Sequence, residues 1–554
     1  MTIHVTPPGS EATIYATPAT APCARKVERW VLVATILGSS LSFIDGTVVN
    51  VALPTIQREL HASAANVQWV IEAYALFLAA LILVGGSLGD RLGRRRVFTM
   101  GITIFTVASV ACGFAPTILA LIVARAAQGI GGALLVPGSL AIIGASFDAS
   151  RRGVAIGTWS AFTTITTALG PVLGGWLVQA VSWRLVFFIN APLAAFTLLI
   201  TFRFVEESFG ADARTGRLDW QGAALATCGL GALVFGLVES SVLGLTTPFV
   251  LFALAVGLVA LMAFALVEAR QERHGQHPMI PPSIFRSRTF TGANGLTLLL
   301  YGALGGALYF LPFNLQQAQG YSAAQAGAAL LPMTLIIFAL SRWAGGLVPR
   351  IGARLPLVIG PVIVACGFAL FALPGIGGSY WLTYFPAIVA LSVGMSLVIA
   401  PLTTSVMGAL GQERSGVASG VNNAASRAAG LLAIAIMNLV VVAVFSHAFD
   451  ANITALHLSP ALSHALAAQR TRLGGVTAPA GVSPVTTAAI HHAVARSFVS
   501  GFRVAMLIGA ALALASSVVA GVSMQGKSVR EALRAIGASA RHEVSPSGAE
   551  SSRV

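Results

Sequence analysis

Long apolar runs alternate with short polar breaks along the whole chain. The runs fall at roughly 30–54, 66–88, 96–115, 117–145, 153–180, 184–204, 220–240, 247–269, 290–317, 322–349, 355–373, 380–410, 416–446 and 497–523. A helix needs about 20 residues to cross a bilayer core about 30 Å thick. The pattern therefore predicts fourteen membrane-spanning helices and an all-α polytopic fold. One break is much longer than the rest. Residues 447–496 are rich in Ala, Ser, Thr, His and Pro, with a weak signal for short helices around Leu456–Pro460.

The polar breaks also repeat. Arg91-Leu-Gly-x-Arg returns as Arg350-Ile-Gly-x-Arg, 259 residues later. Arg151-Arg-Gly-Val-Ala-x-Gly returns as Arg414-Ser-Gly-Val-Ala-x-Gly, at an offset of 263. The second span thus aligns with the tenth and the fifth with the thirteenth. This divides the chain into a tail (1–29), a six-helix bundle (30–204), two linking helices with their loops (205–289), a second six-helix bundle (290–523) and a second tail (524–554). Two related halves in parallel order suit a machine in which one half rocks against the other.

Composition supports a membrane protein. Only 9% of residues are charged and 56% are hydrophobic, against about 25% charged in soluble chains. The net charge of +14 does not point to nucleic acid, because the basic residues sit in short loops between spans. With the N-terminus inside, inner loops and tails hold 24 of the 33 basic residues and outer loops hold five. That bias predicts that both termini are cytoplasmic. Residues 1–29 contain no apolar core of a cleaved signal, so the first run is predicted to be a retained span. The four cysteines, Cys23, Cys112, Cys228 and Cys366, show no disulfide or metal spacing. No nucleotide-binding loop is evident, so neither ATP nor another cofactor is expected to drive the protein. Gly129-Ile-Gly131-Gly132 lies inside a span and lacks the Lys-Ser/Thr of a phosphate loop. The tail from Gln525 is basic, then rich in Ser and Gly, and its end is predicted to be disordered.

Three charges lie inside the first half. At 1.5 Å per residue, Asp45 is about 22 Å above the inner start of span 1, Glu72 about 9 Å below the outer start of span 2, and Arg125 about 12 Å below the outer start of span 4. All three fall at a similar depth, where ionised groups must pair or face a wet cavity. Arg125 can neutralise one acid. The other is then driven toward its protonated form by desolvation and like-charge repulsion, which suits a proton carrier. The alternative is a permanent structural ion pair, and the sequence leaves open which acid is which.

Four motifs give the chain its resemblance. They are Asp45-Gly-Thr-Val-Val-Asn50-Val-Ala-Leu-Pro54 in span 1, Gly86–Arg96 between spans 2 and 3, Arg125-Ala-Ala-Gln128-Gly129-Ile-Gly131-Gly132 in span 4, and Gly170-Pro171-Val-Leu-Gly174-Gly175 in span 5. In this order they resemble the fourteen-span drug:proton antiporters (EmrB/QacA type) of the major facilitator superfamily, over nearly the whole chain. Thr166 stands where that family's pattern has a glycine. The resemblance implies two six-helix bundles with two extra helices between them. It favours Asp45 as the coupling acid and assigns the span-5 motif to antiporters. It also implies that the loop cluster Gly86, Asp90, Arg91, Gly93 and Arg94 latches the outward-facing state. On physical grounds Gly86 and Gly93 allow close approach and a tight turn. Asp90 can accept from a helix N-terminus, with the helix near Gly416 as candidate. Arg94 is expected to pair with Asp148. The arginines could instead serve only to fix topology, and the glycines only to pack helices.

The second half carries fewer charges. Asn422, Asn423 and Arg427 lie inside span 13, and Asn314 with Gln316 and Gln317 near the outer end of span 9. They are candidates for binding substrate, or for joining helices by hydrogen bonds. Glu239 and the pair His491-His492 are expected to be solvated rather than metal-binding. The resulting expectation is a monomeric efflux transporter in a bacterial inner membrane, exchanging protons for amphipathic small molecules by alternating access. A narrow exporter of a metabolite or a self-made antibiotic is the alternative. The sequence leaves open a periplasmic adaptor.

Overall fold

A computed structural model describes residues 25–209, 219–276, 278–410 and 415–524, and these form helices and turns with no strand among them. In chain order the helices are α1 (Arg25–Glu59), α2 (Ala64–Leu92), α3 (Arg94–Phe114), α4 (Ile118–Ser146), α5 (Ala149–Ala180), α6 (Leu185–Phe188), α7 (Asn190–Phe204), α8 (Trp220–Leu243), α9 (Pro248–Arg273), α10 (Arg288–Phe313), α11 (Ala323–Ala329), α12 (Leu331–Ile351), α13 (Arg354–Phe371), α14 (Tyr380–Thr383), α15 (Phe385–Gly408), α16 (Ser415–Thr454), α17 (Pro460–Ala467) and α18 (Pro484–Ser523). Thirteen helical stretches among the described residues are long and apolar enough to cross a membrane, and the apolar stretch Ile165–Ala180 of α5 stands at the remaining expected position. Cys23, most of the N-terminal tail and the C-terminal tail lie outside the described residues.

Polar caps set several helix starts. The Ser63 hydroxyl accepts from the Asn66 N–H at the head of α2, and Thr117 does the same for Ala120 at α4. Ser322 and Gln325 form a reciprocal capping box at α11. The long break differs from expectation. Helix α16 continues to Thr454 and α18 starts at Pro484, so the connection spans only 455–483 and carries α17 and a 3-10 turn, Arg470–Gly475. The short helix begins at Pro460 rather than near Leu456. Ser459 caps it there, and His457 has a left-handed backbone (φ 49°) that ends the preceding turn.

The chain divides into two compact units. One comprises residues up to Pro282 with Leu308–Leu331 and Ile434–Gly501, and the other Ser283–Ala307, Pro332–Ala433 and residues from Phe502. Within the first unit, α8 and α9 form a hairpin built on small residues. Gly229 faces Leu261, Gly236 faces Leu254 and Gly257 faces Leu233, each too close for a Cβ. The hairpin rests on α2 through Trp69, which contacts the Phe235 ring and donates its indole N–H to Glu239 at 3.4 Å. Glu239 is therefore half-buried and hydrogen-bonded, not freely solvated. On α9, Phe252, Val259, Met262 and Leu266 remain exposed, a surface suited to lipid.

The repeat reappears in backbone detail within each unit. Gly93 (φ 107°) and Gly352 (φ 79°), equivalent by the 259-residue offset, both turn the chain in a conformation that favours glycine. Each N–H returns to the carbonyl four residues earlier. The equivalent arginines also match. Arg95 donates to the Phe202 carbonyl of α7, and Arg354 to the Gly521 carbonyl of α18.

Candidate functional site

Asp45 and Arg125 meet in the interior of the first unit, and neither side chain has any solvent exposure. Arg125 Nη1 donates to Asp45 Oδ2 at 2.5 Å and to Gln128 Oε1 at 2.8 Å, while its Nε donates to the Val70 carbonyl at 2.9 Å. Asp45 Oδ1 accepts from the amides of Gln128 (2.8 Å) and Asn190 (3.4 Å). Asn190 also donates to the Ser109 hydroxyl, which bonds the Phe187 carbonyl. The Tyr74 ring lies 4.3 Å from the guanidinium carbon and supplies a cation–π contact. Asp45 thus accepts three hydrogen bonds, one of them from a cation. Such additional hydrogen bonds are what a buried ion pair needs to offset its desolvation.

Glu72 is equally buried but is not part of this cluster. Gln68, one turn earlier on α2, donates to Oε1 at 3.3 Å, and Oε2 has no hydrogen-bond partner among the described residues. No cation pairs with it among the described residues. Glu72 thus lacks the cation and the several donors that Asp45 has. The shared depth of the three groups therefore conceals two environments. Two helix faces, of α1 and α4, bring Asp45, Arg125 and Gln128 together, and Glu72 is left apart.

Gln128 and Asn190 were not singled out as site residues from sequence. Gln128 follows Arg125 by three residues on one helix face, which is a readable signal. Asn190 was readable only as a lone amide entering an apolar run.

The Gly86–Arg96 loop departs from its expected pairing. Arg94 bonds Asp90, with Nε at 2.9 Å and Nη2 at 2.8 Å from Oδ1, and reaches the Ala141 carbonyl at 3.3 Å. Asp148 is exposed at the start of α5 and makes no side-chain cap. The shorter path wins because Asp90 and Arg94 are only four residues apart, across one glycine turn. Arg91 is half-buried in the last turn of α2. The close helix approach belongs to Gly85, whose added Cβ would stand 2.0 Å from the Ala133 carbonyl, whereas at Gly86 it would meet Pro137 at an ordinary 3.6 Å. Gly93 has a second reason to be glycine. The Glu207 carboxylate lies where a Cβ would be, and accepts from the Arg95 N–H at 2.9 Å and pairs with Arg96. Glu207 is thus the N-terminal clamp of α3, a role invisible without the fold.

The glycines of span 5 form contacts a larger residue would break. A Cβ at Gly170 would lie 1.9 Å from the Thr47 hydroxyl, one at Gly174 2.6 Å from Val48, and one at Gly175 2.3 Å from the Ala323 carbonyl. Gly327 of α11 reciprocates against the Pro171 carbonyl. Thr166, in place of the family's glycine, accepts a hydrogen bond from Ser40 at 3.2 Å, so this turn is joined to α1 by hydroxyls.

At the end of the first unit opposite the Gly86–Arg96 loop lies a polar vestibule of about 610 Å³. Gln57, Gln316, Gln317, Arg58, Arg472 and His491 are among its lining residues. Gln316 and Gln317 thus reach it, while Asn314 is fully buried at the turn Asn314–Ala318. His491 and His492 are exposed in the first turns of α18 rather than in a loop. In the second unit, Asn422 donates to Asn294 (3.1 Å) and Thr297 (2.7 Å), so its amide joins α16 to α10. Asn423 is exposed and Arg427 half-buried on the same helix.

The sequence matches the model of the Major Facilitator Superfamily over residues 35–221 and 217–434. It is 33% identical over 493 residues to the multidrug resistance protein Stp of Mycobacterium tuberculosis, spanning 87% of this chain and 89% of that protein. It is 32% identical over 500 residues to the tetracenomycin C resistance and export protein of Streptomyces glaucescens, spanning 88% and 90%. With the puromycin resistance protein pur8 of Streptomyces alboniger it shares 36% over 418 residues, 74% and 81% of the two chains. Among solved structures, a bacterial homologue of the human lysosomal transporter Spinster, in an inward-facing conformation, aligns with a TM-score of 0.59 at 17% identity over 90% of this chain and 98% of that one. At that identity the likeness concerns the fold alone.

Proposed function

We propose that this chain, which belongs to the major facilitator superfamily and within it to the drug-efflux transporters, exports amphipathic small molecules in exchange for protons. It is a multi-pass membrane transporter and not an enzyme. The observation that carries the proton coupling is the contrast between two buried carboxyls. Asp45 is held by Arg125, Gln128 and Asn190, and Glu72 has no cation beside it.

In this reading Glu72 takes up and releases the proton. Asp45 and Arg125 stay paired and keep the interior ordered. Proton and substrate need only prefer different conformations for each to displace the other. The Gly86–Arg96 loop, through Asp90, Arg91 and Arg94, steadies one of those conformations, and the Gly170–Gly175 stretch seals the pathway by close packing. Asn422, Asn423, Arg427 and Asn314 are candidate substrate contacts. The loop arginines favour a reading with both termini in the cytoplasm of a bacterial cell, and in that reading one chain works alone because it contains both halves. A narrower substrate range is the second reading, favoured by relatives named for single antibiotics.

The test uses inverted membrane vesicles with a proton gradient and a panel containing ethidium, puromycin and an anionic dye. Compound-dependent collapse of the gradient, lost in Glu72→Gln at matched protein level, is the expected result. Collapse with one compound only supports the narrow reading. Full proton-driven transport in Glu72→Gln would sink the assignment of the proton to Glu72, and full transport in both Glu72→Gln and Asp45→Asn would sink coupling by a buried acid altogether.

A further inference from the structure

The polar vestibule carries charges that neither the fold nor the coupling site uses. With the N-terminus inside, outer segments hold five of the 33 basic residues. Two of them are committed to the fold. Arg184 donates to the Gly113 and Ala115 carbonyls at 3.0 and 2.8 Å, and Arg470 pairs with Asp450. Arg58 and Arg472 both open onto the vestibule instead. Among the described residues Arg58 makes no side-chain hydrogen bond or ion pair, and the Arg472 guanidinium reaches only the Gln469 amide oxygen, at 3.3 Å.

A hydrogen bond brings the two arginines to one wall. Arg58 lies in the last turn of α1 beside Gln57, and the Gln57 amide donates to the Arg472 carbonyl at 3.1 Å. His61 and His491 line the same space and add a ring N–H each. Among the described residues Glu59 is the one acid that lines it, and its carboxylate already accepts the Trp183 indole N–H at 2.8 Å. Pro54, Val178 and Val476 supply apolar wall. All these residues belong to the first compact unit. The volume, about 610 Å³, falls within the range of about 300–1,000 Å³ that suits small molecules.

We propose that the vestibule is a binding site for amphipathic organic anions. The Arg58 and Arg472 guanidinium groups hold the carboxylate or sulfonate by charge-assisted hydrogen bonds, and the apolar wall takes the carbon frame. A concave site lined by unpaired cations also draws anions in by its field. In the efflux reading this is the last site that a compound occupies before it leaves, so acidic substrates are favoured on exit. That use rests on the efflux reading, whereas the binding itself does not.

The test is equilibrium binding to the purified full-length protein in nanodiscs of phosphatidylcholine, a lipid without net charge. The probes are dansylglycine and dansylglycinamide, which differ by one negative charge, and dansyl fluorescence reads both. Dansylglycine is expected to saturate and to bind about tenfold tighter than the amide. Arg58→Gln and Arg472→Gln should each weaken dansylglycine about tenfold, the loss of one hydrogen bond to a charged group, and leave the amide unchanged. Arg58→Lys keeps the charge and should keep most of the affinity. Equal binding of the two probes, no saturable binding of dansylglycine, full affinity in both Gln variants, or equal loss of both probes in them overturns the site. Arginine-dependent binding by a protein that shows no compound-dependent collapse of the proton gradient keeps the site and overturns only the exchange reading.

Discussion

Replacing Asp45 by Asn and Glu72 by Gln should have very unequal consequences for stability, though both changes turn a buried carboxyl into an amide. In Asp45→Asn the shape is kept, but the fully buried Arg125 loses its counter-ion. Its remaining partners are the Gln128 amide, the Val70 carbonyl and the Tyr74 ring, all neutral. Breaking a buried pair from one side costs about 3–5 kcal/mol. In Glu72→Gln no cation is orphaned, and the amide can keep the bond from Gln68. That change should cost clearly less, about 1 kcal/mol, the typical value for a point substitution. The assay is equilibrium unfolding in mixed micelles, with a double-mutant cycle. Asp45→Asn combined with Arg125→Gln should recover about half or more of the single-mutant loss, because the two sites share one interaction. Strictly additive losses, or a Glu72→Gln as damaging as Asp45→Asn, would refute the reasoning that assigns the acids to different roles.

Gly93→Ala places a Cβ 2.5 Å from the Glu207 carboxyl in a left-handed backbone, so it should destabilise by at least about 1 kcal/mol and be partly rescued by Glu207→Ala, read by thermal inactivation. Gly175→Ala meets a backbone carbonyl at 2.3 Å, which cannot swing away, and should cost about 1–3 kcal/mol with loss of transport; normal activity would show that α5 and α11 separate freely. Asp219 starts α8 by accepting from the Gly222 N–H at 2.8 Å. Burial works to raise its pKa, but hydrogen bonds from Glu268, Gly222, Gln271 and Met279 outweigh that and hold it below 3.8. Its stabilisation is therefore present above pH 3.8 and lost as the pH falls through the lowered value, so Asp219→Asn should flatten the acid limb of a stability–pH curve, and an unchanged limb would count against the assignment.

Much of this was legible before the fold. Apolar length marks the spans, because lipid demands about 20 residues each regardless of neighbours. The repeat is legible because a positive-φ turn requires glycine wherever it recurs, and Gly93 and Gly352 are both such turns. That Arg125 would take one of the two buried acids was legible because a charge inside a span needs a partner. The Arg94–Asp148 pairing failed because it was inferred from charge alone, and an arginine takes the carboxylate its own turn presents.

What the sequence by itself determined is depth: residue number times helical rise sets how far each group lies along its span. Azimuth is another matter. Which way a helix face points depends on how side chains of distant segments interlock, and on glycines that let one backbone approach another. Only the tertiary structure could decide that Arg125 turns to Asp45, 80 residues away, and not to Glu72 at the same level. The same holds for Glu207, an unremarkable polar residue in the chain that acquires a role from the Arg95 N–H and the Arg96 side chain that packing puts beside it.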